Sequence, residues 1–123
     1  MKLVDTSAWI ASLRPGGDPA VSERVRSLLN AGEAAWCAMV RLELWNGARG
    51  EHEKRVLREM ESQLIDLEMS PEVWARSFDL ARKARGAGLS VPAVDILIAA
   101  TAWHHGASIE HCDDHFNLLA KWR

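Results

Sequence analysis

A chain of 123 residues, 48% hydrophobic and 26% charged, with four prolines and eight glycines scattered along it, has the composition of one ordinary domain and excludes a disordered tail, a linker or a fibre. Met1-Lys2-Leu3-Val4-Asp5 puts an acid where a secretory signal would be apolar, and the longest apolar stretch, Leu89 to Trp103, carries Asp95 and falls short of the ~18 residues of a membrane span. A net charge of −2 leaves a nucleic-acid partner open, because four acids withdrawn to one site would leave thirteen against fifteen Lys and Arg.

In chain order, Lys2 to Asp5 reads as a strand, and Thr6-Ser7 are hydroxyl caps for a helix over Ala8 to Leu13. The run Arg14-Pro15-Gly16-Gly17-Asp18-Pro19 is turn punctuation. After it Val21, Val25, Leu28 and Leu29 recur at helical spacing until Asn30-Ala31-Gly32. Ala34 to Ala38 is the second predicted strand, followed by a helix from Val40 to Ala48 that carries Glu43. An amphipathic helix over Glu51 to Gln63 precedes Ile65-Asp66-Leu67-Glu68, whose strict alternation predicts an edge strand. Ser70-Pro71-Glu72 opens a helix running to Ala87, with Trp74, Phe78 and Ala81 expected inward and Arg76, Arg82, Lys83 and Arg85 outward. Pro92 opens another, apolar nearly all round from Val94 to Trp103 and therefore central. Ala107 to Cys112 is the last predicted strand and Asp114 to Lys121 a closing helix. Alternating strands and helices over residues 1–123 predict one α/β domain, with a central parallel sheet of four or five short strands and helices on both faces. Cys37 and Cys112 are expected as small buried thiols of a cytoplasmic protein.

Four acids hold comparable places. Asp5 and Asp113 follow strands, while Glu43 and Asp95 stand near helix beginnings, which in an open α/β sheet is where a ligand crevice forms. Asp95 is the only charged residue between Arg85 and His104, so it needs a compensating partner; a first-turn position favoured by the helix dipole is its simpler explanation. Asp5 has an equally simple one, capping the first helix with Thr6 or Ser7. Either Asp113 or Asp114 caps the last helix, and Asp113 is preferred for the site because it is nearer the strand end. Carboxylates gathered in this way repel one another unless cations neutralise them, and Mg²⁺ or Mn²⁺, one ion or two, suits an all-oxygen donor set. Such ions hydrolyse phosphodiesters.

The motifs Leu3-Val4-Asp5-Thr6-Ser7-Ala8-Trp9-Ile10, Glu43-Leu44-Trp45-Asn46-Gly47-Ala48-Arg49, Pro92 to Ala100 and His111-Cys112-Asp113-Asp114-His115-Phe116 stand in an order and spacing that resemble the PIN-domain ribonucleases, in particular the VapC-type toxins of toxin-antitoxin pairs. The resemblance implies an endoribonuclease that holds Mg²⁺ or Mn²⁺ with Asp5, Glu43, Asp95 and Asp113, supported by Thr6 or Ser7 and less directly by Asp114 and His115. It further implies a transfer- or ribosomal-RNA substrate, a small antitoxin partner and a homodimer; members of the family usually carry a short fifth strand after the last helix, whereas this chain stops at Trp122-Arg123.

Other patterns compete. Cys112 and His115, with His104, His105 and His111 nearby, have a zinc-like spacing, but they form a single short pair and Cys37 is remote. A haloacid-dehalogenase phosphatase would carry a second acid where Ser7 stands. A catalytically silent module that binds RNA or protein is the remaining alternative. Trp9, Trp36, Trp74 and Trp103 are expected in the core, and Trp45 and Trp122 at the surface. Of Arg41, Arg49, Lys54, Arg55, Arg82, Lys83 and Arg85, Arg49 is the first candidate to grip a phosphate because it adjoins the Glu43 motif.

Overall fold

The computed structural model describes residues 1–123. Strands β1 (Lys2–Val4), β2 (Ala34–Trp36), β3 (Ile65–Asp66) and β4 (Ser108–Glu110) pair in the order β3-β2-β1-β4, all parallel. Leu3 faces Ala35 on one side and Ile109 on the other, and Val4 faces Glu110. After β1 the chain builds outward through β2 to β3, then returns to the far side of β1 as β4. The gap between β1 and β4 is therefore a point where the order reverses, and side chains just beyond these two strands border it.

Six helices make the connections, α1 (Thr6–Leu13), α2 (Pro19–Asn30), α3 (Ala38–Asn46), α4 (Gly50–Gln63), α5 (Pro71–Gly86) and α6 (Ala93–His104), and α7 (His115–Leu119) follows β4. Right-handed crossovers that reverse direction after β3 place α5 and α6 on the face opposite α1 and α2. The turn after α1 presses on that helix at Gly17, where an added Cβ would fall 2.0 Å from the Ala11 carbonyl oxygen. The core runs through Leu3, Val4, Trp9, Ala35, Trp36 and Ile98, all essentially inaccessible. Helix α6 is buried from Ile96 to Trp103, as its uniform apolarity predicts, and the Thr101 hydroxyl inside it donates back to the Leu97 carbonyl at 2.7 Å.

Several details differ from the sequence-based expectations. Of the four or five strands expected, four form, and residues Ala120–Trp122 make a 3₁₀ turn. Cys37 is buried, but Cys112 lies past the end of β4 and is exposed. Helix α5 is rotated relative to its predicted face, burying Val73, Ser77, Leu80 and Ala84 while Trp74 and Phe78 are 44% and 57% exposed. The face with Ser77 and Ala84 lets α5 lie close along α6, where an indole and a phenyl ring would hold the helices apart.

Candidate active site

Asp5 leaves β1 with its backbone N–H donating to the Glu110 carbonyl at 2.9 Å, so β4 fixes where its side chain begins. The carboxylate is only 4% exposed, and both Ser7 bonds, from N–H at 3.2 Å and Oγ at 2.8 Å, reach Oδ2. Asp5 thus caps α1, the simpler explanation its sequence allowed, and is buried in the crevice as well. Ser7 Oγ also accepts the Cys112 N–H at 3.0 Å, tying the loop beyond β4 to the start of α1.

Glu43 reaches the same place from α3. Its Oε1 accepts the Thr6 hydroxyl at 2.8 Å, so consecutive residues of α1 hold two acids that lie far apart in sequence. Burial pushes the Asp5 carboxyl above its ordinary pKa, with a smaller contribution from the Asp95 charge. Burial likewise raises Glu43, and the charges of Asp5 and Asp95 add to the shift. These three acids sense one another.

Asp95 sits in the first turn of α6, and Asp113 in the loop after β4. His115 joins them, its Nδ1 lying 2.8 Å from Asp95 Oδ2 and 2.9 Å from Asp113 Oδ1. Its own backbone N–H donates to Asp113 Oδ1 at 2.9 Å. The hydrogen bond to Asp95 is the largest influence raising the His115 pKa, opposed by partial desolvation and reinforced by the Asp113 charge. Asp114 is exposed and makes no capping bond; the bond at the start of α7 comes from Asp113.

Each of the four carboxylates is therefore held through one oxygen, and the second oxygens of Glu43, Asp95 and Asp113 receive no hydrogen bond from the protein. Hard oxygen atoms, several of them unpaired and mutually repelling, are a donor set that fits a divalent cation such as Mg²⁺ or Mn²⁺. The ligand atoms of Asp95, Asp113 and His115 lie within 4.8 Å of one another.

The cysteine-histidine alternative does not assemble. His105 Nε2 contacts the Glu68 carbonyl at 2.7 Å, His111 packs at a tilt against Phe116, and Cys112 stands apart from the group that includes His115. Arg41 is committed to Glu61, Asp66 and the Trp36 ring. Arg49 is exposed at the start of α4, with its backbone N–H donating to Glu53 Oε1 at 2.8 Å. Arg14 escaped notice in the sequence because it stands among turn residues. It lines a small crevice with Glu43, donates from Nη2 to the Gly47 carbonyl at 2.8 Å, and pairs with Glu53 at 3.4 Å.

Comparison with known proteins identifies the family and the fold. A family model described as the PIN domain matches residues 2–121. The chain is 36% identical to the VapC ribonuclease Mb1587 of Mycobacterium bovis over 98% of its own length and 92% of that protein. Its fold is similar to that of FitAcB from Neisseria gonorrhoeae, with a TM-score of 0.73 at 23% identity, covering 98% of this chain and 94% of that one. It is also similar to VapBC2 from Rickettsia felis bound to a DNA fragment from their promoter, with a TM-score of 0.70 at 17% identity, covering 88% and 84%.

Proposed function

The chain belongs to the PIN-domain family, and on that footing we propose that it is a metal-dependent endoribonuclease, the toxin of a VapBC-type pair, with Asp5, Glu43, Asp95 and Asp113 as its metal-holding catalytic acids. The observation that carries this is the set of carboxylates beyond β1 and β4, each anchored through one oxygen, with three of the second oxygens free of any protein donor. A divalent cation in this crevice supplies the positive charge that hydrolysis of a phosphodiester requires.

The protein's own groups divide the remaining work. Thr6 and Ser7 orient Glu43 and Asp5, and because their bonds arise from one helix turn, the two acids keep a fixed relation. Burial of Asp5 keeps bulk water from one side of the crevice and strengthens electrostatic interactions there. Arg49, exposed beside the end of α3, contacts an RNA phosphate, while Asp114 stays at the rim without a ligand role.

By the same family membership the substrate is RNA of the transfer or ribosomal class, the regulator is a small antitoxin, and the setting is the cytoplasm. No helix is long and apolar enough to cross a membrane. The active form is a homodimer, and exposed Trp74 and Phe78 on α5 mark the face it uses. Glu72 opens this helix while Arg82, Lys83 and Arg85 lie near its end. Two copies packed antiparallel about a twofold axis near Phe78 bring acidic start against basic end.

Incubating the purified protein with RNA, in Mg²⁺, Mn²⁺ or chelator, tests the reading. Cleavage is expected only with metal and is lost in Asp95→Asn. Cleavage that persists in chelator, or in that variant, overturns the metal mechanism; RNA binding without cleavage under any condition identifies a silent module.

A further inference from the structure

We infer that His115 is itself a metal ligand, through Nδ1, and that with Asp95 and Asp113 it makes one end of the crevice a two-carboxylate, one-imidazole site that selects transition ions of the Mn²⁺ and Co²⁺ kind over Mg²⁺. This rests on the metal-dependent reading above but adds to it a ligand and a selectivity.

The hydrogen-bonded distances are also compatible with shared ligation of one cation. In octahedral coordination at about 2.1 Å, adjacent ligand atoms are separated by about 3 Å. His115 Nδ1 lies 2.8 Å from Asp95 Oδ2 and 2.9 Å from Asp113 Oδ1, and the three ligand atoms lie within 4.8 Å of one another, so small shifts of the side chains let a single cation meet all three. A cation between these atoms would take the place of the proton that a hydrogen bond puts there. No lysine or arginine pairs with either acid.

The backbone favours ligation over withdrawal of the ring. His115 is the first residue of α7, and its N–H is already bonded to Asp113 Oδ1, so ligand and partner acid belong to one turn. The ring is about one-third exposed, at 35%, which leaves its other nitrogen free to reach water. A metal-bound imidazole requires such an outlet for its remaining N–H.

Selectivity follows from donor type. Mg²⁺ prefers oxygen ligands and keeps much of its water, whereas imidazole nitrogen binds first-row transition ions with an affinity that rises from Mn²⁺ to Co²⁺ and beyond. The Asp5 and Glu43 end offers only oxygens, so the two ends of the crevice differ in chemistry.

Calorimetric titration of metal-free protein with MnCl₂, CoCl₂ and MgCl₂, with Co²⁺ also followed by visible absorption, tests this in the wild type, His115→Asp and His115→Ala. The wild type is expected to bind Mn²⁺ at least about tenfold more tightly than Mg²⁺ and Co²⁺ more tightly still. His115→Asp should bring the Mn²⁺ to Mg²⁺ ratio down several-fold by raising Mg²⁺ affinity. His115→Ala should weaken Mn²⁺ and Co²⁺ and alter the Co²⁺ spectrum while leaving Mg²⁺ nearly unchanged. An identical ratio in all three proteins, an unaltered Co²⁺ spectrum, or an equal loss for every ion overturns the assignment while metal-dependent cleavage stands. If the wild type binds none of the ions and cuts RNA in chelator, both readings fall together.

Discussion

Thr6 Oγ1 donates to Glu43 Oε1 at 2.8 Å across 37 positions of sequence, and this is the contact that brings the acid of α3 to the acid of β1. Because a hydroxyl that orients a metal-holding carboxylate contributes roughly 10–100-fold to affinity or activity, Thr6→Val is expected to lower RNA cleavage by about that factor with little change in melting temperature. Thr6→Ser retains the donor and should stay near wild type. Cleavage in Thr6→Val within twofold of wild type shows that Glu43 is held by other means.

The acids oppose one another in the absence of metal, since Glu43 is raised by burial and by the charges of Asp5 and Asp95. Glu43→Gln keeps the shape and the acceptor for Thr6 while removing one negative charge. Metal-free Glu43→Gln should therefore melt higher than metal-free wild type, by a few degrees for about 1 kcal/mol of relieved repulsion, and should not cleave RNA. Scanning calorimetry on both proteins in chelator checks this. A lower melting temperature in the variant means that the repulsion is already relaxed.

Stability of the metal-free protein should fall as pH rises. Asp5 and Glu43 have folded pKa values above their ordinary carboxylate range, and His115 is raised above an ordinary imidazole. All three therefore hold their protons more tightly folded than unfolded. Their stabilising contribution is complete below the unfolded pKa values and is lost as pH passes through the raised ones. Glu53, Glu72 and Asp79 are shifted downward by their hydrogen bonds and act in the opposite sense, but chiefly in acid, around and below pH 4. Between about pH 5 and pH 8 the melting temperature in chelator should decline, and saturating Mn²⁺ should flatten the profile. A rising profile in chelator contradicts the placement of these groups.

Arg14 connects the end of α1 to the end of α3, donating to Gly47 O at 2.8 Å and pairing with Glu53, whose side chain is 16% exposed. The guanidinium serves two acceptors at once, from different nitrogens, which the single nitrogen of a lysine ammonium does not reproduce. Arg14→Ala is expected to lower the denaturant midpoint and to lower cleavage through Glu43. Arg14→Lys should recover only a small part. Denaturant midpoints of the three proteins, read beside their cleavage rates, decide it. A full recovery by lysine assigns the effect to charge alone.

Much of this site was legible because local chemistry and position agreed. Asp5 and Asp113 stood beyond strands, and Asp95 stood alone in an apolar segment; each observation needed only the chain around it. What lay hidden was set by contacts between distant segments. The Arg14 fork depends on where α3 ends, and the closeness of His115 to Asp95 depends on α6 and α7 meeting. In α5 the spacing of Trp74, Phe78 and Ala81 was as helical as that of Val73, Ser77, Leu80 and Ala84. Periodicity was satisfied by either face, and the large aromatic residues weighted the expectation toward the wrong one. The need for small side chains against α6 decided otherwise.

The exposed face of α5 carries the last prediction. Trp74 and Phe78 border an apolar groove of about 310 Å³ completed by Ala81, Ala93, Val94 and Leu97. Phe78 is 57% exposed, so its ring adds little to the core of one chain, yet in an antiparallel pair of α5 helices it lies at the centre, where buried aromatics contribute most to association. Phe78→Glu places a charge at that centre and a second one opposite it across the twofold. Light scattering should find the wild type dimeric at micromolar concentration and Phe78→Glu monomeric, with nearly the same melting behaviour in the separated chain. Glu72→Lys, which sets a cation against the basic end of the partner helix, should weaken the dimer. A dimer that survives Phe78→Glu unchanged uses another face.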